Sequence, residues 1–148
     1  MSKKVVSLEC SQGHYVADAC IFWCLDDRLW KLRKNSIKEL GFKNIDCVQV
    51  AGPCKDLAGE DRGAREFLLK QIGISIELHG CKRVVLVIHI DCGACGGSKA
   101  FKDIDDEWTH HVWTLARAAE VVQNRFPQIP IDKYVADFEG LHHILPQW

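Results

Sequence analysis

The run VVLVI at residues 84–88 constrains the fold more than any other feature of the chain. It has no polar position, so neither face of the strand it would form can be left to water. A strand of that kind sits at the centre of a sheet covered on both sides, as parallel sheets in α/β proteins are. The spacing predicts a strand over residues 83–90, entered after a helix that Gly80 caps.

The rest of the chain follows the same grammar. ACIFWC at residues 19–24 is dense in large apolar side chains and runs into the polar LDDR, which predicts a buried strand entering a loop. Leu29, Leu32, Ile37 and Leu40 recur at helical spacing among lysines, with Gly41 as the stop. IDCVQVAG at residues 45–52 predicts another buried strand closed by Gly-Pro, and the polar KDLAGEDRG that follows predicts a loop. A longer helix is expected over residues 64–79 and a short one after the glycines at 96–97. A further helix opens at Asp105 or Asp106, carries Trp108, Val112, Leu115, Ala119 and Val122 on one side, and ends before Pro127. IDKYVADF at residues 131–138 gives the last strand.

The order β-α-β-α-β-α-β implies one α/β domain over residues 1–148: a small, mainly parallel sheet with right-handed crossovers and helices on both faces. Ligands of such sheets bind beyond the carboxyl ends of the strands, where neighbouring strands send their connections in opposite directions. The first and third strands are the candidates for that switch. Their ends carry CLDDR and HIDCG, so topology alone brings Cys24, His89 and Cys92 together.

Composition removes several function classes. The net charge is -1 with the basic residues scattered, which leaves no electrostatic footprint for nucleic acid. The apolar run of residues 84–88 is far short of the roughly 20 residues a membrane-spanning helix needs. The start MSKKVVSLEC lacks a signal-peptide core, so a cytoplasmic location is expected, where eight cysteines serve as thiols or ligands and not as disulfides.

HIDCGACGG at residues 89–97 can be read in two ways. His89 and Cys92 form an H-x-x-C pair that a third ligand would complete as a metal site. Cys92 and Cys95 form a C-x-x-C pair, the pattern of a redox dithiol or half of a zinc ribbon. No other C-x-x-C occurs to complete a ribbon; the dithiol stays open. Asp26 and Arg28 are two residues apart, so on extended backbone they would share a side and could pair, with Asp27 pointing away.

Taken together, C-x-D-x-R at Cys24, Asp26 and Arg28, followed by H-x-x-C-G at His89, Cys92 and Gly93, resembles the β-class carbonic anhydrases. VAG at residues 50–52, SIELHGCKRVVLVIHIDCGA at 75–94 and YVADFEGLHHI at 134–144 are similar to successive segments of that family, in the same order. The resemblance implies the family's fold and one zinc ion per chain, held by Cys24, His89 and Cys92. It implies Asp26 and Arg28 as the catalytic pair, with Cys95 outside the ligand set. Two thiolates and an imidazole suit zinc and leave a fourth position for water. The implied reaction is the interconversion of carbon dioxide and bicarbonate in a homodimer or higher homo-oligomer.

The chain departs from the family at Gln49-Val50, where an Arg-Asn pair often precedes Ala-Gly, and in the short stretch before the first core strand. A related zinc hydrolase acting on carbonyl sulfide or carbon disulfide is therefore the alternative enzyme. A non-catalytic zinc- or bicarbonate-binding protein is the alternative of another class. Cys20, Cys47 and Cys81 are expected to be buried thiols, and His110-His111 and His142-His143 solvated or hydrogen-bonded residues. Trp23, Trp30, Trp108 and Trp113 are expected to pack helices on the sheet, with Trp148 as a terminal interface anchor.

Overall fold

A computed structural model describes residues 1–145; Trp148 lies outside the described residues. The core strands are β1 (Ala19–Cys24), β2 (Ile45–Val50), β3 (Val84–His89), β4 (Ile131–Ala136) and the short β5 (Leu141–His143). They form one sheet in the order β2-β1-β3-β4-β5, parallel except for β5. β1 and β3 are buried at every position, the consequence of strands with apolar residues on both faces.

The helices are α1 (Trp30–Glu39), α2 (Pro53–Ala58), α3 (Arg62–His79) and α4 (Ile104–Arg125). Cys20, Phe22, Leu86 and Ile88 turn toward Leu57, Leu68, Ile72 and Leu115 of α2, α3 and α4. On the opposite face Ile21, Trp23, Val85 and Val87 meet Leu32, Ile37 and Leu40 in and beyond α1. The strand period of two divides the core between these layers, and each fully buried Phe, Leu or Ile contributes about 1.5–3 kcal/mol.

Helix ends follow local chemistry. Asp61 caps α3 by accepting the Ala64 amide at 3.1 Å, and Gly80 closes it with a positive φ of 55°. Asp103 caps α4 by accepting the Asp106 amide at 2.9 Å, so that helix starts slightly earlier than expected at Asp105 or Asp106.

Several expectations need correction. Part of the polar KDLAGEDRG segment is helical: Pro53 opens α2 and only Pro53, Cys54 and Leu57 are buried, too sparse a pattern to show a period. β2 is a half-buried edge strand, which leaves Cys47 exposed. Trp113 is 73% exposed and Trp30 42% exposed, so neither packs a helix on the sheet; Trp23 does. His111 is fully buried. β5 follows the tight turn at Gly140, a strand too short for its sequence to announce.

β1 sends its connection through α1 to β2 on one side, and β3 sends its own through α4 to β4 on the other. The expected switch between the first and third strands is therefore present, and both strands end at the same edge.

Candidate metal centre

Cys24 ends β1, His89 ends β3, and Cys92 stands at the start of a 3-10 turn over Gly93–Cys95. The two Sγ atoms are 4.0 Å apart, and with a ring nitrogen of His89 they form a set in which all atoms lie within 4.8 Å of one another. All three residues are buried.

The histidine is prepared to act as a ligand. Its Nδ1 lies 2.8 Å from the Ile90 carbonyl oxygen, which can only accept, so Nδ1 carries the proton. In the neutral ring that ligation requires, Nε2 then offers its lone pair, and this atom is buried and without a hydrogen-bond partner. A buried polar atom of this kind is costly unless something binds it, and two sulfurs beside it complete a set of three donors whose chemistry fits zinc.

Ligation has a proton cost. The Cys92 thiol and burial push the Cys24 thiol up to about 11. The Cys92 thiol is also raised: its bond to Cys24 acts downward, but Cys95 and burial outweigh it. A metal ion arriving here must displace protons.

Asp26 and Arg28 form a tight pair, with the arginine side chain about half exposed and the aspartate much less so. Arg28 Nε donates to Asp26 Oδ1 at 3.0 Å and Oδ2 at 3.1 Å, and Nη2 donates to Oδ2 at 2.6 Å. The backbone that joins them is not extended: Asp26 caps a 3-10 turn over Asp27–Leu29, and its Oδ1 also accepts the Arg28 amide at 3.0 Å. The guanidinium hydrogen bonds hold the Asp26 carboxyl down to about 2, and the ion pair holds Arg28 above its ordinary range. Asp27 is exposed and takes no part in this pairing.

Arg28 has further anchors that sequence reasoning missed. Nη1 donates to Asp91 Oδ2 at 2.9 Å, Nη2 donates to the Asp91 carbonyl at 3.0 Å, and the guanidinium lies 5.0 Å from the centre of the Phe138 ring. Asp91 stands between His89 and Cys92, the one available hint. Gly52 was also unforeseen in this role: at φ 53°, a Cβ there would sit 2.6 Å from Ala94 Cβ, so the β2–α2 turn closes directly on the turn after Cys92.

The remaining candidates separate. Cys95 donates its amide to the Cys92 carbonyl at 2.9 Å but is outside the ligand-atom set. Cys54 is buried with its thiol on the Val87 carbonyl at 3.3 Å. His142 pairs with Asp137 at 2.7 Å, and His143 stacks on Tyr134. No helix among the described residues is long and apolar enough to cross a membrane.

Several known proteins are similar to this chain. An uncharacterized protein of Rickettsia conorii is 27% identical over 149 residues, covering 95% of this chain and 80% of its own. An uncharacterized protein of Rickettsia bellii is 24% identical, covering 94% and 90%. Among solved structures, β-carbonic anhydrase isoform I of Trichomonas vaginalis superposes with a TM-score of 0.64 at 16% identity, over 96% of this chain and 90% of that one. One of the tetrameric β-carbonic anhydrases of Sordaria macrospora gives 0.52 at 13% identity, over 89% and 82%. At these identities the two structures speak for the fold. The family described as "Putative carbonic anhydrase" matches residues 16–144. A parallel sheet with Cys24, His89 and Cys92 at its switch, in a chain matched by that family over most of its length, makes this protein a member of that carbonic anhydrase family, with the fold of the β-carbonic anhydrases.

Proposed function

We propose that this protein is a zinc-dependent carbonic anhydrase that interconverts carbon dioxide and bicarbonate. The observation that carries the reading is the buried Cys24, His89 and Cys92 set with the Asp26–Arg28 pair on the loop that leaves β1. Cys24 Sγ, Cys92 Sγ and His89 Nε2 would hold one zinc ion. Bound zinc acidifies water to near neutrality and so supplies the nucleophile for an electrophilic carbon.

The chain's own groups do the rest. Asp26 stays ionised, so it accepts a hydrogen bond from the attacking water and fixes its orientation. Arg28 keeps that carboxylate from reaching toward the cation itself. Ile90, through its carbonyl, holds the His89 ring in the tautomer that ligation requires. The proposed partners are carbon dioxide and bicarbonate alone, with neither nucleic acid nor membrane. The tetrameric Sordaria macrospora enzyme supports a homo-oligomer, and eight free cysteines support a reducing cytoplasm.

Stopped-flow hydration of carbon dioxide with a pH indicator tests this, using zinc-loaded protein beside Asp26→Asn at equal zinc content. Expected is catalysis by the parent and a loss of about 10²–10⁴-fold in the variant. No rate above buffer at full zinc occupancy would overturn the assignment and turn attention to carbonyl sulfide or carbon disulfide.

A further inference from the structure

Glu107 lies on α4 and is 1% exposed. Burying a carboxylate is costly unless its oxygens are satisfied. Both are, and both by one loop: Oε1 accepts the Asp91 amide at 2.7 Å, and Oε2 accepts the Ser98 hydroxyl at 2.6 Å. That loop, residues 90–98, follows directly on His89 and carries Cys92. His111 Nε2, one helical turn along, is 3.4 Å from Oε1 but makes no aligned hydrogen bond.

The residue that Glu107 grips is unusual. Asp91 is the one non-glycine among the described residues with a positive φ, 57°. Left-handed backbone is unfavourable for an aspartate and persists where its surroundings fix it. Here the Glu107 carboxylate takes the Asp91 amide, while Asp91 Oδ1 accepts the Ser98 amide at 2.9 Å. So held, Asp91 turns its Oδ2 and its carbonyl toward Arg28. A continuous chain of contacts thus runs from the buried face of α4 through Asp91 to the Arg28–Asp26 pair. An ordinary role for Glu107 in the first turn of α4 does not explain this, because Asp103 already caps the helix and Asp105 and Asp106 supply the favourable charge.

We propose that Glu107 is a positioning residue for the metal centre: it fixes the Asp91 backbone so that Cys92 is presented with Cys24 and His89, and Arg28 is held on Asp26. This rests on the reading of the three-residue set as a zinc site.

The test measures zinc affinity by competition with a chelator, and cobalt(II) absorption spectra, on the full-length parent, Glu107→Gln, Glu107→Leu and Asp91→Gly. Glutamine keeps an oxygen for the Asp91 amide and a polar group for Ser98, so it should rescue both affinity and spectrum. Leucine keeps the volume and loses both bonds, and should weaken zinc binding about 10–100-fold and alter the cobalt spectrum. Asp91→Gly suits the positive φ and keeps both the amide that Glu107 accepts from and the carbonyl that Arg28 Nη2 reaches, but loses the side-chain bonds to Arg28 Nη1 and to the Ser98 amide; it should weaken zinc binding several-fold, and it decides the part of the proposal that runs through the Asp91 side chain if the leucine variant does not fold. Parental affinity and spectrum in a folded Glu107→Leu, equal losses in Gln and Leu, or unchanged binding in Asp91→Gly would each overturn the proposal. A parent that binds zinc without hydrating carbon dioxide would overturn the functional reading instead, and the order of affinities would still decide this one.

Discussion

Asp26 is useful to the proposed chemistry only as a charged acceptor, and Arg28 keeps it so. Its folded value of about 2 lies below the roughly 3.9 of a free aspartate. The pairing therefore contributes stability above about pH 4 that is lost as pH falls toward 2, and neutral pH leaves Asp26 ionised throughout. Arg28→Ala should move the Asp26 midpoint up toward about 3.9 in the metal-free protein, followed by carboxyl NMR. An unmoved midpoint would mean that the arginine does not control this group. Cys24, Asp26, Arg28, His89 and Cys92 are legible in the sequence because each belongs to a short motif at the end of an apolar run. Glu107 is not: it follows Asp105 and Asp106 and looks like one more helix-opening acid. Only the fold brings Asp91 onto it, and His111, four residues on, gives no sign of its full burial.

At the level of elements, legibility tracks burial on both faces. β1 is apolar throughout, and β3 is apolar up to its last residue, His89; both are readable nearly to the residue. β2 is expected to be buried too, but it carries Asp46 and Gln49 among its apolar residues and lies half-buried at the sheet edge. α2 is hidden for the opposite reason, being one polar turn and a half anchored by Pro53, Cys54 and Leu57. Its entry is nonetheless critical to the site. Gly52 combines a φ of 53° with a 2.6 Å approach to Ala94, so Gly52→Ala meets both backbone strain and a clash with the turn that follows Cys92. Urea unfolding of the metal-free variant should show a loss of about 1–3 kcal/mol, with weaker zinc binding besides. The corresponding Gly41→Ala places a Cβ in open space at φ 75°, so it carries the backbone strain alone and should leave zinc affinity unchanged.

For the whole molecule, the centre ties stability to metal and to pH. Without metal, Cys24 is pushed up to about 11, and burial pushes Cys20 and Cys54 up as well, against roughly 8.5 for an unfolded cysteine. The metal-free fold therefore has this contribution intact below about pH 8.5 and loses it as pH rises through the folded values. Zinc reverses the sense for the two thiols it would bind, because Cys24 and Cys92 must give up their protons to ligate it. Between about pH 6 and 8 both thiols start protonated, so each proton released makes apparent affinity rise up to about tenfold per pH unit. Since a ligand that binds only the folded state stabilises it by RT ln(1 + [L]/Kd), the gap between zinc-loaded and metal-free protein should widen by up to about 1.4 kcal/mol per proton per pH unit. Thermal unfolding at fixed free zinc at pH 6, 7 and 8, beside a chelator-treated control, measures that gap. Cys24→Ser should remove about one proton's share of that widening and leave the share of Cys92, because a serine hydroxyl keeps its proton across this range. A gap that is independent of pH in the parent would mean that no thiol ionises on binding, and would remove Cys24 and Cys92 from the ligand set whatever the catalytic activity proves to be.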